Sequence, residues 1–147
     1  MRKEHLFFVA LLCLGLGGCE VKAPAPVPVQ ATALLSDDIA RIAAAFRERQ
    51  SHIFVGAQGR VIKVLADDSA GERHQRFIVQ LKNGQTLLIA HNIDIAPRIE
   101  NIAVGDEVSF YGEYAWNDKG GVVHWTHHDP ARRKPGGWIE HQGLRYQ

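Results

Sequence analysis

One stretch constrains the fold more than any other: Gly105 to Pro130, GDEVSFYGEYAWNDKGGVVHWTHHDP. Side chains of an extended chain alternate between faces. Val108, Phe110, Gly112, Tyr114 and Trp116 therefore fall on one face and read as core. Glu107, Ser109, Tyr111, Glu113 and Ala115 fall on the other and read as mostly wet. Asn117 to Gly121 is a polar turn, Val122 to His128 the answering strand, and Asp129-Pro130 ends it. Gly120-Gly121, Val122-Val123 and Pro130 argue against a helix here. The stretch holds two of the three Trp, two of the three Tyr and three of the eight His, so part of the working surface is expected on it.

The chain upstream has the same character. Residues 53–65 read as a long strand with Gly56 and Gly59 inside it, and glycine in a strand marks a bulge or bend. A first strand that bends and serves two sheets is what a small closed barrel needs. After the polar loop 66–73 come strands 74–81 and 86–91, joined at Asn83-Gly84, which predicts a two-residue primed turn. Residues 92–103 are irregular around Pro97. Strands 107–116 and 121–128 make five, and Trp138 to Tyr146 can close a further small hairpin around His141-Gln142-Gly143. The fold class is mainly β: a small five-stranded Greek-key barrel of oligonucleotide/oligosaccharide-binding (OB) type with one N-terminal amphipathic helix. A generic up-and-down roll is the alternative.

The first nineteen residues read as an address. Arg2 and Lys3 precede an apolar run, Leu6 to Leu16, too short for a spanning helix and suited to a signal peptide. Leu16-Gly17-Gly18-Cys19 resembles a lipobox, which implies that residues 1–18 are removed and that Cys19 carries the lipid. Glu20, where an Asp would favour inner-membrane retention, points to the outer membrane. The expected location is the bacterial cell envelope, lipid-anchored and facing the periplasm. Both cysteines, Cys13 and Cys19, lie in this segment, so the folded part has no thiol chemistry or disulfide. Residues 19–35 are a Pro/Ala-rich tether, and residues 36–147 form the domain. Ser36 offers an N-cap to a helix over about 37–50, with Ile39, Ile42, Ala43 and Phe46 as its apolar stripe.

Three phrases carry a resemblance: RHQRFIVQLKNGQTLLIAHNIDIAPRI (Arg73 to Ile99), the Gly105–Pro130 stretch, and GGWIEHQGLRYQ near the C-terminus. Over about residues 52–147 the sequence resembles an uncharacterised family of small exported bacterial domains, a domain of unknown function. The resemblance implies an OB-like barrel and supplies no activity or functional residue. Arg132-Arg133-Lys134 stands after Asp129-Pro130, where the pattern is expected to carry a His.

Three kinds of site are possible. His124, His127, His128 and Asp129 have metal-binding chemistry. On a strand, however, His124 and His128 lie about 13 Å apart at ~3.3 Å per residue, and His127 faces the other way. A divalent metal would need a distant partner, and the candidate set is His124, His128 and His91. Ligand binding on the barrel face is the second possibility. His124, Trp125, His127, His128, Asp129 and Trp138 are its candidates, with Tyr111 on the face and Arg132, Arg133 and Lys134 at the rim. Alternation predicts that His124, Thr126 and His128 share an open face while Val123 and Trp125 turn inward. Catalysis is the third: Glu113, Asp94 and Asp129 as carboxylates, His74 and His91 as bases, Arg73, Arg76 and Arg98 as anion partners. No spacing among them is diagnostic of an enzyme. With residues 1–18 removed, basic and acidic side chains are equal in number, which makes nucleic acid an unsuitable partner. The sequence therefore reads as a noncatalytic binding module for a small molecule, glycan, peptide or protein, tied to a membrane through its lipid. A metal-assisted hydrolase, a nuclease-like phosphodiesterase, is the alternative.

Overall fold

The computed structural model describes residues 29–147, with side chains from residue 38 onward. The segment expected to be a signal peptide, Cys19 and the expected tether as far as residue 28 lie outside the described residues. A helix, α1 (Val29–Arg47), leads into strands β1 (Ile53–Val64), β2 (His74–Leu81), β3 (Thr86–Asn92), β4 (Glu107–Ala115) and β5 (Val122–His124). A terminal hairpin follows, β6 (Trp138–His141) and β7 (Leu144–Tyr146). Among the described residues no helix is long and apolar enough to cross a membrane.

The strands run in the order β1-β2-β3-β5-β4-β6-β7, and β1 also pairs with β4. That pairing closes a five-stranded barrel, β1-β2-β3-β5-β4, in which only β3 and β5 are parallel. This is the OB arrangement the sequence predicts. β1 serves both sides: residues 53–60 pair with β4, and residues 59–64 with β2, with an irregularity between Val61 and Lys63. Val55, Ala57, Val61, Phe77, Val79, Leu87, Ile89, Phe110, Tyr114, Val123 and Ile139 fill the interior with no exposed surface. They are alternate residues of their strands, as a half-buried sheet requires.

Helix α1 adds Ile42 and Ala45 to this core. It also covers an open edge. Among the described residues the outer edge of the first half of β1 has no strand beside it, and unpaired strand edges invite association. Asp38 accepts the Gly56 N–H at 2.7 Å and Arg41 donates to the Phe54 carbonyl at 3.0 Å, which satisfies that edge from the helix. The helix starts earlier than the Ser36 cap predicted and ends sooner than residue 50. After Pro28 no proline or glycine interrupts the chain before Arg47, and its Ala and Leu residues favour continuation. At the other end Arg49 turns left-handed (φ 54°), and the Gln50 N–H bonds the Ala45 carbonyl, a Schellman-type stop.

One turn differs from expectation. At Lys82–Gln85 only Gly84 has positive φ (86°), and its N–H bonds the Leu81 carbonyl at 2.9 Å. The Leu81 N–H returns to Gln85. This is a type I turn with a glycine bulge, not a primed two-residue turn. The primed turn is at Gln142-Gly143 (φ 51° and 77°), in the expected C-terminal hairpin.

The fifth strand is the larger correction. It stops at His124, where residues to 128 were predicted, because Trp125 is left-handed (φ 56°) and leaves the ladder. β6 then takes over the same edge of β4: Glu113–Ala115 pair with β5, and Val108–Tyr111 with β6. The chain between them makes an excursion that closes where the Gly137 N–H meets the His127 carbonyl at 2.8 Å. Gly137 has no room for a side chain. A Cβ there would overlap the Trp125 carbonyl oxygen and lie 2.7 Å from that of Tyr111.

Candidate functional site

The excursion lays residues 125–137 over the outer face of β4 and gathers a polar cluster around Glu113. Glu113 alternates with the core residues Gly112 and Tyr114, so it points outward, yet its side chain is only 4% exposed. His52 Nδ1–H donates to one carboxylate oxygen and Lys134 Nζ to the other, each at 2.8 Å. His124 stands directly opposite Glu113 across the β4–β5 ladder. Lys134 Nζ also lies 4.8 Å from the centre of the Trp125 ring. Burial pushes the Glu113 carboxyl up, but the Lys134 and His52 bonds outweigh it and hold the group below its ordinary value. Burial lowers the His124 pKa and favours a neutral ring, and the Glu113 charge offsets this in part. His52 (φ 62°) and Trp125 are both left-handed non-glycine residues, and backbone strain of this kind gathers at functional sites.

Beside this cluster runs a row of rings. Phe54 on β1, Tyr111 on β4 and Trp138 on β6 are half-buried on the same outer face. Phe54 and Tyr111 have centroids 5.7 Å apart, and Tyr111 and Trp138 stack at 6.5 Å. The Arg145 guanidinium lies 4.3 Å over Trp138.

The structure thus brings together His124, Trp125, Glu113 and Lys134, with Tyr111 and Trp138 adjoining. The remaining predicted residues go elsewhere. Thr126 and His127 are buried, so the expected open face of His124, Thr126 and His128 does not form, and Trp125 is half-exposed instead of inward. The end of β5 at His124 removes the alternation on which that face depended. His127 donates from Nδ1 to the His128 carbonyl at 2.8 Å, while His128 is exposed. Asp129 accepts the N–H groups of Ala131, Arg133 and Lys134 and so shapes the loop. Those bonds, the Lys134 one foremost, lower its pKa.

The metal set also separates. The Pro97 carbonyl can only accept, so His91 Nε2 carries the hydrogen (3.0 Å). Nδ1 then accepts the Thr126 hydroxyl at 2.8 Å, leaving no nitrogen for a metal. Among the described residues no three His, Cys, Asp or Glu side chains are grouped to hold an ion. The arginines proposed as anion partners are engaged. Arg73 pairs with Asp94, Arg98 with Asp67, and Arg76 bonds the Ala66 carbonyl near Asp68. His74 donates to the Glu72 carbonyl. These contacts tie the loops flanking β2 and β3 together. Sequence reasoning missed His52 and Phe54, which stand just before and near the start of β1 and carry no sequence signal of their own.

The fold and this face define a class: a closed OB-type barrel whose outer surface presents aromatic rings and one nearly buried carboxylate. The chain belongs to the family described as "Protein of unknown function (DUF3465)", whose model matches residues 26–147. The match extends well upstream of residue 52 and takes in α1. No curated protein matches the chain.

Proposed function

We propose that this protein is a noncatalytic binding module of the bacterial envelope, anchored through Cys19, which takes a glycan on the outer face of β1, β4 and β6. The row Phe54, Tyr111 and Trp138 carries this reading. Three half-exposed rings in a row offer an apolar platform, and Ser109, Glu140 and Arg145 beside it offer hydrogen bonds to hydroxyls. OB barrels use surfaces of this composition to hold sugars or bases. With residues 1–18 removed, basic and acidic side chains are equal in number, which favours an uncharged ring over a phosphate backbone.

The test is titration with soluble cell-wall glycan fragments, read by tryptophan fluorescence and calorimetry. Tyr111→Ala and Trp138→Ala are each expected to weaken binding about tenfold or more, the usual range for one lost stacking ring. Wild-type protein that binds no such fragment, or Tyr111→Ala that binds equally well while folded, would overturn the reading. The anchor is checked separately: Cys19→Ser is expected to abolish palmitate labelling and leave uncleaved precursor.

A further inference from the structure

Lys134 is held in an unusual way for a half-exposed lysine. Its ammonium lies between the Glu113 carboxylate at 2.8 Å and the face of Trp125 at 4.8 Å. A carboxylate on one side and an indole face on the other is how proteins recognise ammonium groups. We propose that Glu113 and Trp125 form a receptor for a primary ammonium group of an external ligand, and that Lys134 is the internal occupant the ligand displaces.

The receptor is rigid and the occupant is not. Glu113 is 4% exposed, is paired in the sheet on both sides, with Phe54 of β1 and His124 of β5, and keeps its His52 bond when Lys134 leaves. Trp125 is fixed by its indole N–H, which donates to the Pro135 carbonyl at 3.2 Å. The Lys134 side chain is 47% exposed, and its backbone N–H is bonded separately to Asp129 at 2.8 Å. It can therefore swing into water about its own bonds while the loop stays in place. One ammonium replaces another, so the carboxylate is never left buried without a partner. Phe54 faces Glu113 in the β1–β4 register and touches Tyr111, so a ligand lying on the aromatic row can reach this position. The chemistry required is a primary ammonium on a short carrier, as in a lysine side chain or an amino sugar.

The test uses Lys134→Met, which keeps the stem and removes the charge. Nα-acetyl-lysine methylamide and glucosamine are titrated by calorimetry, with Nα-acetyl-norleucine methylamide and N-acetylglucosamine as uncharged controls. Removing an internal competitor restores the fraction of open sites, so at least one amine is expected to bind ~10-fold or more tightly to the variant than to wild type. Adding Glu113→Gln is expected to abolish that gain. Which amine gains shows whether the carrier is a peptide or a sugar. The proposal is overturned if neither amine gains, or if the uncharged controls gain equally. If Lys134→Met does not fold, wild type decides. Millimolar lysine amide is then expected to shift the Glu113 carboxyl carbon resonance in the NMR spectrum, and no shift overturns the proposal. These outcomes do not depend on Tyr111 or Trp138, so failure of glycan stacking and failure of the ammonium receptor are separable.

Discussion

His91 shows how one residue couples this fold to pH. It is fully buried and bonds both the Pro97 carbonyl and the Thr126 hydroxyl. Burial is the main reason that its pKa lies below the ordinary 6.5. The unfolded chain therefore binds the proton more readily than the folded one. Stability from His91 is complete above 6.5 and is lost as pH falls from there toward the folded pKa. Glu113, Asp94, Asp106 and Asp129 are lowered as well, so each contribution is present above the ordinary carboxylate value and lost in acid. His91→Ala is expected to cost ~2–4 kcal/mol near neutral pH, because it removes a buried ring and leaves its partners unpaired. Urea unfolding of this variant should also depend less on pH between about 6.5 and 5 than that of wild type. Equal slopes for the two proteins would show that His91 is not the titrating group.

At the scale of elements, local signals account for what the sequence revealed and long-range contacts for what it concealed. β1 to β4 were legible because Val108, Phe110 and Tyr114, or Phe77, Val79 and Leu81, alternate strictly with polar or half-buried neighbours. The glycine turn at residue 84 was legible in place but not in type, since Asn83 tolerates either sign of φ and the bulge depends on where Gln85 pairs. Gly84→Val is still expected to destabilise by ~1–3 kcal/mol, because φ 86° is strained for a β-branched residue. A melting midpoint equal to wild type would mean that the turn has rearranged. The end of β5 was not legible. Residues 122–128 alternate acceptably, but β6 occupies the neighbouring length of β4, and the close approach of Gly137 turns Trp125 out of the ladder. The candidate site shared this fate: Trp125, His124 and Lys134 were visible as residue types, while their convergence on Glu113 depends on that long-range pairing.

For the whole molecule, closure between β1 and β4 leaves helix and barrel sharing one core. Ile42 is as buried as Val55 or Phe110, and Trp116 donates its indole N–H to the Phe46 carbonyl at the helix end (3.1 Å). Helix and barrel should therefore unfold together. Ellipticity and tryptophan fluorescence are expected to give coincident transitions. Ile42→Ala should lower both equally, by ~2–5 kcal/mol. A separate early loss of helix would show that α1 folds independently of the barrel.

The excursion between β5 and β6 has a consequence for how such a surface changes over generations. It departs and returns at neighbouring points of one strand edge, where Gly136 sits against the His128 backbone and Gly137 bonds His127. Lengthening a loop whose ends are already joined adds little closure entropy, and its exposed tip carries no core residue. Residues 130–133 thus behave as an interchangeable cassette. New sequence can be spliced in above Glu113 and Trp125, altering what the surface selects while the barrel beneath is inherited intact.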